Sequence, residues 1–185
     1  MSAALQSVAL SLRLVSERSR FGCKGPDAES WLRDQGLEVP QPANAWSCER
    51  GDVLVARLAT SEFLVEALGP AGRIGEIALA LLDPAEHRAG LVPVLRQDMV
   101  IELGGSRAND LLLETCNVNF APHASAATSS AGALILTSMI GVGVTVIPRR
   151  VDGYVFYTIW CDPSFGHYLW STLNGIAAEL NDNKS

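Results

Sequence analysis

One motif occurs twice in this chain of 185 residues, and it constrains the fold more than any other feature. Residues 25–32 read Gly-Pro-Asp-Ala-Glu-Ser-Trp-Leu, and residues 105–112 read Gly-Ser-Arg-Ala-Asn-Asp-Leu-Leu. A repeat of this size indicates two copies of one supersecondary unit that share a core, without a longer array. We therefore expect pseudo-repeats at about 8–68 and 91–180.

Each copy contains apolar runs that predict strands and capped runs with helical spacing that predict helices. The elements predicted for the first copy are strands at 8–15 and 20–24, a helix from 26 to about 35, a strand at 53–58 and a helix at 61–68. Those predicted for the second are strands at 92–95 and 99–103, a helix from 105 to about 115, strands near 134–137, 141–147 and 154–160, and a helix from 162 to about 180. Residues 69–90 are interpreted as a junction and 122–132 as an exposed loop. This order predicts an α+β fold with two mixed β-sheets and packed helices, related by a pseudo-twofold axis.

Composition narrows the class of protein. The chain is 48% hydrophobic and carries a net charge of -6, which argues against nucleic acid or an anionic membrane as a partner. Its length suits a single domain at 1–180 with a flexible tail at 181–185. Residues 1–12 lack the basic start of a secretory signal, and the apolar run at 133–147 is shorter than the roughly 20 residues of a membrane span. We expect a cytoplasmic protein.

The four cysteines are widely separated in the sequence, at Cys23, Cys48, Cys116 and Cys161. Neither a metal knuckle nor a redox dithiol has such spacing. We interpret them as free thiols, mostly buried, in a reducing compartment.

Two short patterns resemble catalytic or cofactor motifs but are better explained structurally. Residues 141–143 read Gly-Val-Gly and continue as a strand, whereas a dinucleotide loop needs a third glycine and must open a helix. Asp162, Ser164 and His167 lie within six residues, as a nucleophile and its base sometimes do. A serine N-cap at the start of the last helix is the commoner use of that pattern.

From the spacing of the remaining titratable residues we predict no catalytic, cofactor-binding or metal-binding site in this chain. His87 and His123 stand in loops without a second ligand at metal spacing. The glutamates form no close carboxylate pair for acid–base work; those considered are Glu62, Glu66, Glu76 and Glu102.

The last helix offers the best candidate for a partner surface. Its predicted apolar stripe runs through Phe165, Leu169 and Leu173, and Trp170 lies off that stripe. Trp170 and His167 are therefore candidate interface residues, since aromatic anchors are common in interface cores. The sequence is equally compatible with Trp170 lying on the flank of the same core. The other three tryptophans are expected in the core.

Segments in both halves of the chain together resemble one known family. They lie, in order, at 20–32, 40–44, 57–65, 103–112, 116–120 and 162–170, the last reading Asp-Pro-Ser-Phe-Gly-His-Tyr-Leu-Trp. By these segments the chain resembles the small gamma subunit of heterotetrameric sarcosine oxidase and the corresponding subunit of N-methylglutamate dehydrogenase. That family is similar in fold to the N-terminal part of the glycine-cleavage aminomethyltransferase, so the resemblance implies a two-repeat, folate-binding-type fold.

The resemblance also implies a role without catalysis in this chain. FAD, FMN, NAD, zinc and tetrahydrofolate are expected in partner subunits, with none bound by this chain alone. The expected partners are a large alpha-type subunit, as the main contact, and the beta and delta subunits of the same complex. Such a complex removes the methyl group of an N-methyl amino acid, which leaves as formaldehyde or methylenetetrahydrofolate. The amino acid, and the choice between oxidase and dehydrogenase, stay open.

Two other functions are compatible with the sequence. One is a stand-alone folate-binding or aminomethyltransferase-like protein, although 185 residues are few for such a multi-domain ring. The other is an adaptor that shares only the fold.

Overall fold

The computed structural model describes residues 9–182, except 50, 71, 84, 86 and 87. The described strands are β1 (Ser11–Leu14), β2 (Arg20–Lys24), β3 (Ala45–Glu49), β4 (Val53–Ala59), β5 (Glu62–Ala67), β6 (Val92–Val94), β7 (Met99–Gly104), β8 (Ala131–Ala133), β9 (Ile135–Met139), β10 (Val142–Val151) and β11 (Tyr154–Cys161). The described helices are α1 (Ala28–Asp34), α2 (Gly72–Leu82), α3 (Ala108–Thr115), α4 (Ala121–Ala126) and α5 (Gly166–Asp182). A 3-10 turn at Pro163–Phe165 precedes α5.

The chain forms two compact units, each with one β-sheet. Unit 1 comprises Met1–Ser16, Gln97–Thr128 and Ile135–Ser185, and unit 2 comprises Glu17–Arg96 and Ser129–Leu134. The sheet of unit 1 has the order β1-β7-β11-β10-β9, and that of unit 2 has the order β6-β2-β5-β4-β3-β8. The predicted α+β, two-repeat fold is confirmed, and the strand pairings within both described sheets are antiparallel.

The first strand of each sheet comes from the other half of the sequence. β1 pairs with β7, so a strand near the N-terminus lies in the sheet that holds the second motif. β6 pairs with β2 and joins the sheet that holds the first motif. The chain accordingly leaves unit 1 after Ser16 and re-enters it at Gln97.

The first glycine of each motif is required by a close backbone crossing. Gly25 has φ 118° and Gly105 has φ 112°, values that residues with a side chain rarely adopt. A Cβ on Gly25 would lie 2.2 Å from the carbonyl oxygen of Gly90, and one on Gly105 would lie 2.5 Å from that of Ala9. Two residues after each glycine, a backbone N–H donates to that same carbonyl, at 3.0 Å from Asp27 and 2.8 Å from Arg107.

The rest of each motif fills the core beneath its helix. In unit 2 the buried motif residues are Ala28, Trp31 and Leu32. In unit 1 they are Ala108, Leu111 and Leu112, followed by Thr115. The small alanine lets the helix approach its sheet, and the larger residues one turn later remove apolar surface from water. Both helices thus bury the face predicted by their sequence.

The sequence prediction was wrong at 61–68, where the structure has strand β5 in place of a helix. Phe63, Val65 and Ala67 alternate into the core of unit 2, which is the period of a strand. A buried Glu66 between them conceals this alternation in the sequence. Thr60 and Ser61, where the predicted helix would begin, lie in the hairpin turn that precedes β5.

Four other elements were missed or misplaced. The second helix of unit 2 is α2, which lies in the segment interpreted as a junction and buries Ile74, Ile77 and Leu81. α4 occupies part of the predicted loop at 122–132, and β3 and β8 were not predicted. β3 and β8 are short strands held by sheet pairing, so their local sequence signal is weak.

Across the part of the chain that the structure describes, no helix combines the length and apolarity that a membrane crossing demands.

Candidate functional site

The candidate interface residues lie on the first turn of α5. His167 is exposed, whereas Trp170 is half-buried and packs against the core of unit 1. The predicted stripe holds for Leu169 and Leu173, which are buried, but it fails for Phe165, which is 53% exposed. Phe165 belongs to the 3-10 turn that precedes α5, so it does not follow the helix periodicity.

A second exposed aromatic residue on this turn was not identified from the sequence. Tyr168 is 52% exposed, and its hydroxyl donates to the carbonyl of Ile140 at 3.2 Å. Phe165, His167 and Tyr168 therefore form an exposed aromatic group, which we call the α5 aromatic patch. Three aromatic residues within four positions, Phe165 to Tyr168, were the available sequence signal.

Asp162 and Ser164 form a helix cap and do not form a catalytic pair with His167. Asp162 is the cap residue: its carboxylate accepts from the Ser164 N–H at 2.8 Å and from the Ser164 hydroxyl at 2.6 Å. These hydrogen bonds lower the pKa of Asp162. The prediction of a cap is confirmed, with Asp162 in place of the serine as the capping side chain. Within residues 9–182 as described, no hydrogen bond joins Ser164 to His167.

The glutamates considered for acid–base work form ion pairs. Glu66 is fully buried and faces Arg20 at 3.1 Å and Arg18 at 3.5 Å. Glu102 lies 2.5 Å from Arg13 and 3.3 Å from Arg149. Arginine side chains thus engage both carboxylates, an arrangement that suits a structural role better than proton transfer.

The two other glutamates also fit no acid–base role. Glu62 pairs with Arg96 at 2.9 Å, and Glu76 is exposed on α2.

The structure offers no metal site among its described residues. His123 is half-buried beside Phe120, with ring centroids 6.4 Å apart, and His87 lies outside the described residues. Within those residues, no group of three His, Cys, Asp or Glu side chains could hold a metal ion. The Gly-Val-Gly at 141–143 turns β9 into β10, as the strand interpretation predicted.

The cysteines are free thiols, and three of them are buried. Burial raises the pKa of Cys23 to about 12 and that of Cys161 to about 11. Burial also raises the pKa of Cys116, which is partly exposed. Protonated, enclosed thiols are poor nucleophiles, so thiol chemistry is not expected here.

We predict that an aromatic disulfide reagent labels Cys116 first at pH 8 and labels the other three thiols only as the protein unfolds. The physical reason is access, because the thiolate must reach the reagent. Mass spectrometry of partially labelled protein identifies the site, and the variant Cys116→Ser is the control that should lose the fast phase. Fast labelling of Cys23 would contradict the described burial.

Unit 2 contains a buried arginine, Arg57, next to the start of α1. We call the site that Arg57 forms with Glu29, Thr60 and Phe63 the arginine seat. The Arg57 guanidinium lies 2.8 Å from a Glu29 carboxylate oxygen, donates to the Thr60 carbonyl at 2.6 Å and sits 5.2 Å from the centroid of the Phe63 ring. Glu29 also accepts from Arg33 and from Gln41. Hydrogen bonding to Arg33, reinforced by Arg57, lowers the pKa of Glu29.

Unit 1 has a cavity of about 270 Å³ at the start of α3. Its wall includes Gly105, Ser106 and Asn109 on one side and the start of β11, from Tyr154 to Tyr157, on the other. The Tyr157 hydroxyl donates to the Asn109 carbonyl oxygen. Burial raises the pKa of Tyr157 to about 12, so this hydroxyl stays protonated at neutral pH.

Comparison with solved structures places this fold beside two known proteins. The chain is similar to a chain of the heterotetrameric sarcosine oxidase from Corynebacterium sp. U-96, solved with pyrrole 2-carboxylate, with a TM-score of 0.74 and 18% identity over 98% of this chain and 91% of that one. It is also similar to aminomethyltransferase T of the glycine cleavage system from Bartonella henselae, with a TM-score of 0.59 and 13% identity, covering 91% of this chain and 46% of that one.

At these identities the likeness establishes the fold, and it confirms the folate-binding-type fold inferred from the sequence. The chain spans about half of the aminomethyltransferase and nearly all of the sarcosine oxidase chain. The sequence matches no protein-family profile and no curated protein.

Proposed function

We propose that this chain is a non-catalytic assembly subunit of a flavin-dependent complex that oxidatively demethylates an N-methyl amino acid such as sarcosine. The observation that carries the proposal is the end-to-end match to a chain of a heterotetrameric sarcosine oxidase, which covers 98% of this chain and 91% of that one. The match to the aminomethyltransferase, by comparison, covers 46% of that chain.

The chemistry of the described residues supports a structural role. Glu66 and Glu102 are engaged by arginines, and Asp162 serves as a cap. Burial raises the pKa of Cys23 and of Cys161, and all four cysteines are free thiols. On this proposal the flavins, NAD, zinc and the tetrahydrofolate site belong to the partner subunits, as does the choice of amino acid.

We further propose that the α5 aromatic patch, together with Trp170, contacts the large subunit. Phe165 and Tyr168 are each more than half exposed although both are aromatic, and burying such rings at an interface core is strongly favourable. His167 lies between them and provides a hydrogen-bonding edge. Trp170 supports the patch from below because it packs on the core of unit 1.

Co-purification of designed variants tests the interface. Phe165→Ala combined with His167→Ala should weaken recovery of the flavoprotein subunits at least about tenfold, because truncation of an aromatic anchor commonly costs more than 1 kcal/mol. The matched control is Ser171→Ala with Glu179→Ala, two exposed positions further along α5. Equal recovery with both double variants would remove this patch from the proposed interface.

A reduced-folate titration separates this function from the main alternative, a stand-alone folate-binding protein. We expect no stoichiometric binding of tetrahydrofolate by the isolated chain in calorimetry, since the proposal assigns that site to a partner. Tight one-to-one binding by the chain alone would favour the alternative and defeat the assembly role.

A further inference from the structure

The cavity of unit 1 occupies the position of the arginine seat of unit 2. The glycines Gly25 and Gly105 end equivalent strands, so the preceding residues Lys24 and Gly104 correspond. Lys24 is paired with Glu62, and Gly104 with Phe156. The next residue along each strand, Phe63 or Tyr157, is then equivalent.

From this register the residues of the two sites correspond one by one. Phe63 is paired with Arg57, and Tyr157 with Pro148, so proline stands in unit 1 where unit 2 has arginine. Counting from Gly25 and Gly105, Glu29 corresponds to Asn109. Glu29 holds the Arg57 guanidinium, whereas Asn109 lines the cavity. Unit 1 therefore keeps the aromatic residue and the helix residue, which contact each other directly, and has proline at the position of the arginine.

The hydrogen-bonding groups of the residues that line the cavity indicate which chemical group can bind in it. The Asn109 carbonyl oxygen accepts from Tyr157 and has a second lone pair. Among the described residues, the Asn109 amide N–H groups donate to no other side chain. The replacement of a carboxylate by an amide removes the charge that balances a guanidinium. In addition, Arg150 lies near enough to Tyr157 to lower its pKa, which disfavours a second cation.

We propose that this cavity binds a primary carboxamide, which pairs with the Asn109 amide by two reciprocal hydrogen bonds and lies against the Tyr157 and Tyr154 side chains. The carboxamide satisfies a donor and an acceptor of Asn109 at once and adds no charge. Its source is either an Asn or Gln side chain of a partner subunit or a small free carboxamide, and both present the same planar group.

Titration of the isotope-labelled full chain with three probes of similar size tests this proposal. The probes are propionamide, propionate and ethylguanidinium. Binding is followed by NMR at the Asn109 side-chain amide and, in every variant, at the backbone amides of the cavity residues Gly105 and Tyr154. We expect saturable shifts with propionamide alone. Asn109→Ala should weaken its binding about tenfold, as expected for the loss of two neutral hydrogen bonds. Asn109→Glu should switch the preference to ethylguanidinium, as in unit 2. Glu114→Gln, exposed on the same helix, is the matched control and should bind like the parent.

Three results would overturn the proposal: no saturable shift with propionamide, equal binding of a charged probe by the parent chain, or unchanged propionamide binding by Asn109→Ala. Repeating the titration on the assembled complex distinguishes the two sources. Loss of the propionamide response there indicates a partner side chain in the cavity, and its persistence indicates a small free ligand. The first three results are measured on the isolated chain, so they test the carboxamide site independently of the proposed assembly role.

Discussion

Replacing Gly105 by alanine should destabilise the protein by about 4 kcal/mol, one of the largest effects expected from a single methyl group. The new Cβ would lie 2.5 Å from the Ala9 carbonyl oxygen, and that contact is to backbone, which cannot rotate away. Forcing extra atoms into a packed site costs about 1–3 kcal/mol, and a strained backbone conformation costs about as much again. Urea unfolding followed by circular dichroism measures the loss of unfolding free energy.

Gly141→Ala is the matched control for this prediction. Gly141 also has a positive φ, of 85°, but nothing lies within 4 Å of a Cβ built on it. Its substitution should cost only the conformational penalty, about 1 kcal/mol. Gly25→Ala, whose Cβ would meet the Gly90 carbonyl at 2.2 Å, should behave like the Gly105 variant. Equal losses at Gly105 and Gly141 would show that the crossing of the strands is looser than described.

Replacing Glu66 by alanine should destabilise the protein by about 3–5 kcal/mol. The side chain of Glu66 is 0% exposed, and it lies opposite the guanidinium groups of Arg18 and Arg20. Removing one partner of a buried ion pair leaves charge in a poorly solvated environment, and this penalty exceeds the net stability that the pair contributes. Thermal unfolding and urea titration should both report the loss.

Glu62 on the same strand provides the comparison. It pairs with Arg96 at 2.9 Å, but its side chain is 38% exposed. Solvent screens such a pair, so Glu62→Ala should cost about 1 kcal/mol or less. A loss at Glu66 no greater than that at Glu62 would contradict a buried, structurally required carboxylate.

The sequence predicted the parts of the fold that depend on local pattern. The motif glycines, the helices that follow them and their buried Ala-x-x-x-Leu positions were all recognisable, because a close crossing and a helix face each leave a local signature. Strand β5 was mistaken for a helix because Glu66 is charged yet buried, and only its arginine partners explain that burial. The exchange of β1 and β6 between the two sheets is a long-range pairing without a local signal.

Among the candidate sites too, features set by neighbouring residues were predicted, and features set by the tertiary structure were missed. A cap at the start of the last helix was predicted because capping depends on a few consecutive residues, but the serine was expected to be the capping residue and the structure has Asp162 in that role. The exposure of Phe165 was missed because the residue belongs to a 3-10 turn, which sets its side chain apart from the α5 stripe. The cavity beside Asn109 was also missed. Its correspondence to the site of Arg57 in unit 2 emerges only from the strand register, in which Pro148 stands where unit 2 has Arg57.

The central proposal is that the chain assembles with flavoprotein subunits and performs no chemistry itself. The most direct measurement is purification of the tagged full chain at natural expression level from its own cells, with visible absorption spectra and assay of N-methyl amino acid oxidation on the eluted material. We predict flavin absorbance in a fixed ratio to the chain and substrate-dependent activity that is lost when the chain is separated from its partners. Elution of the chain alone, as a colourless monomer without activity, would contradict the claim.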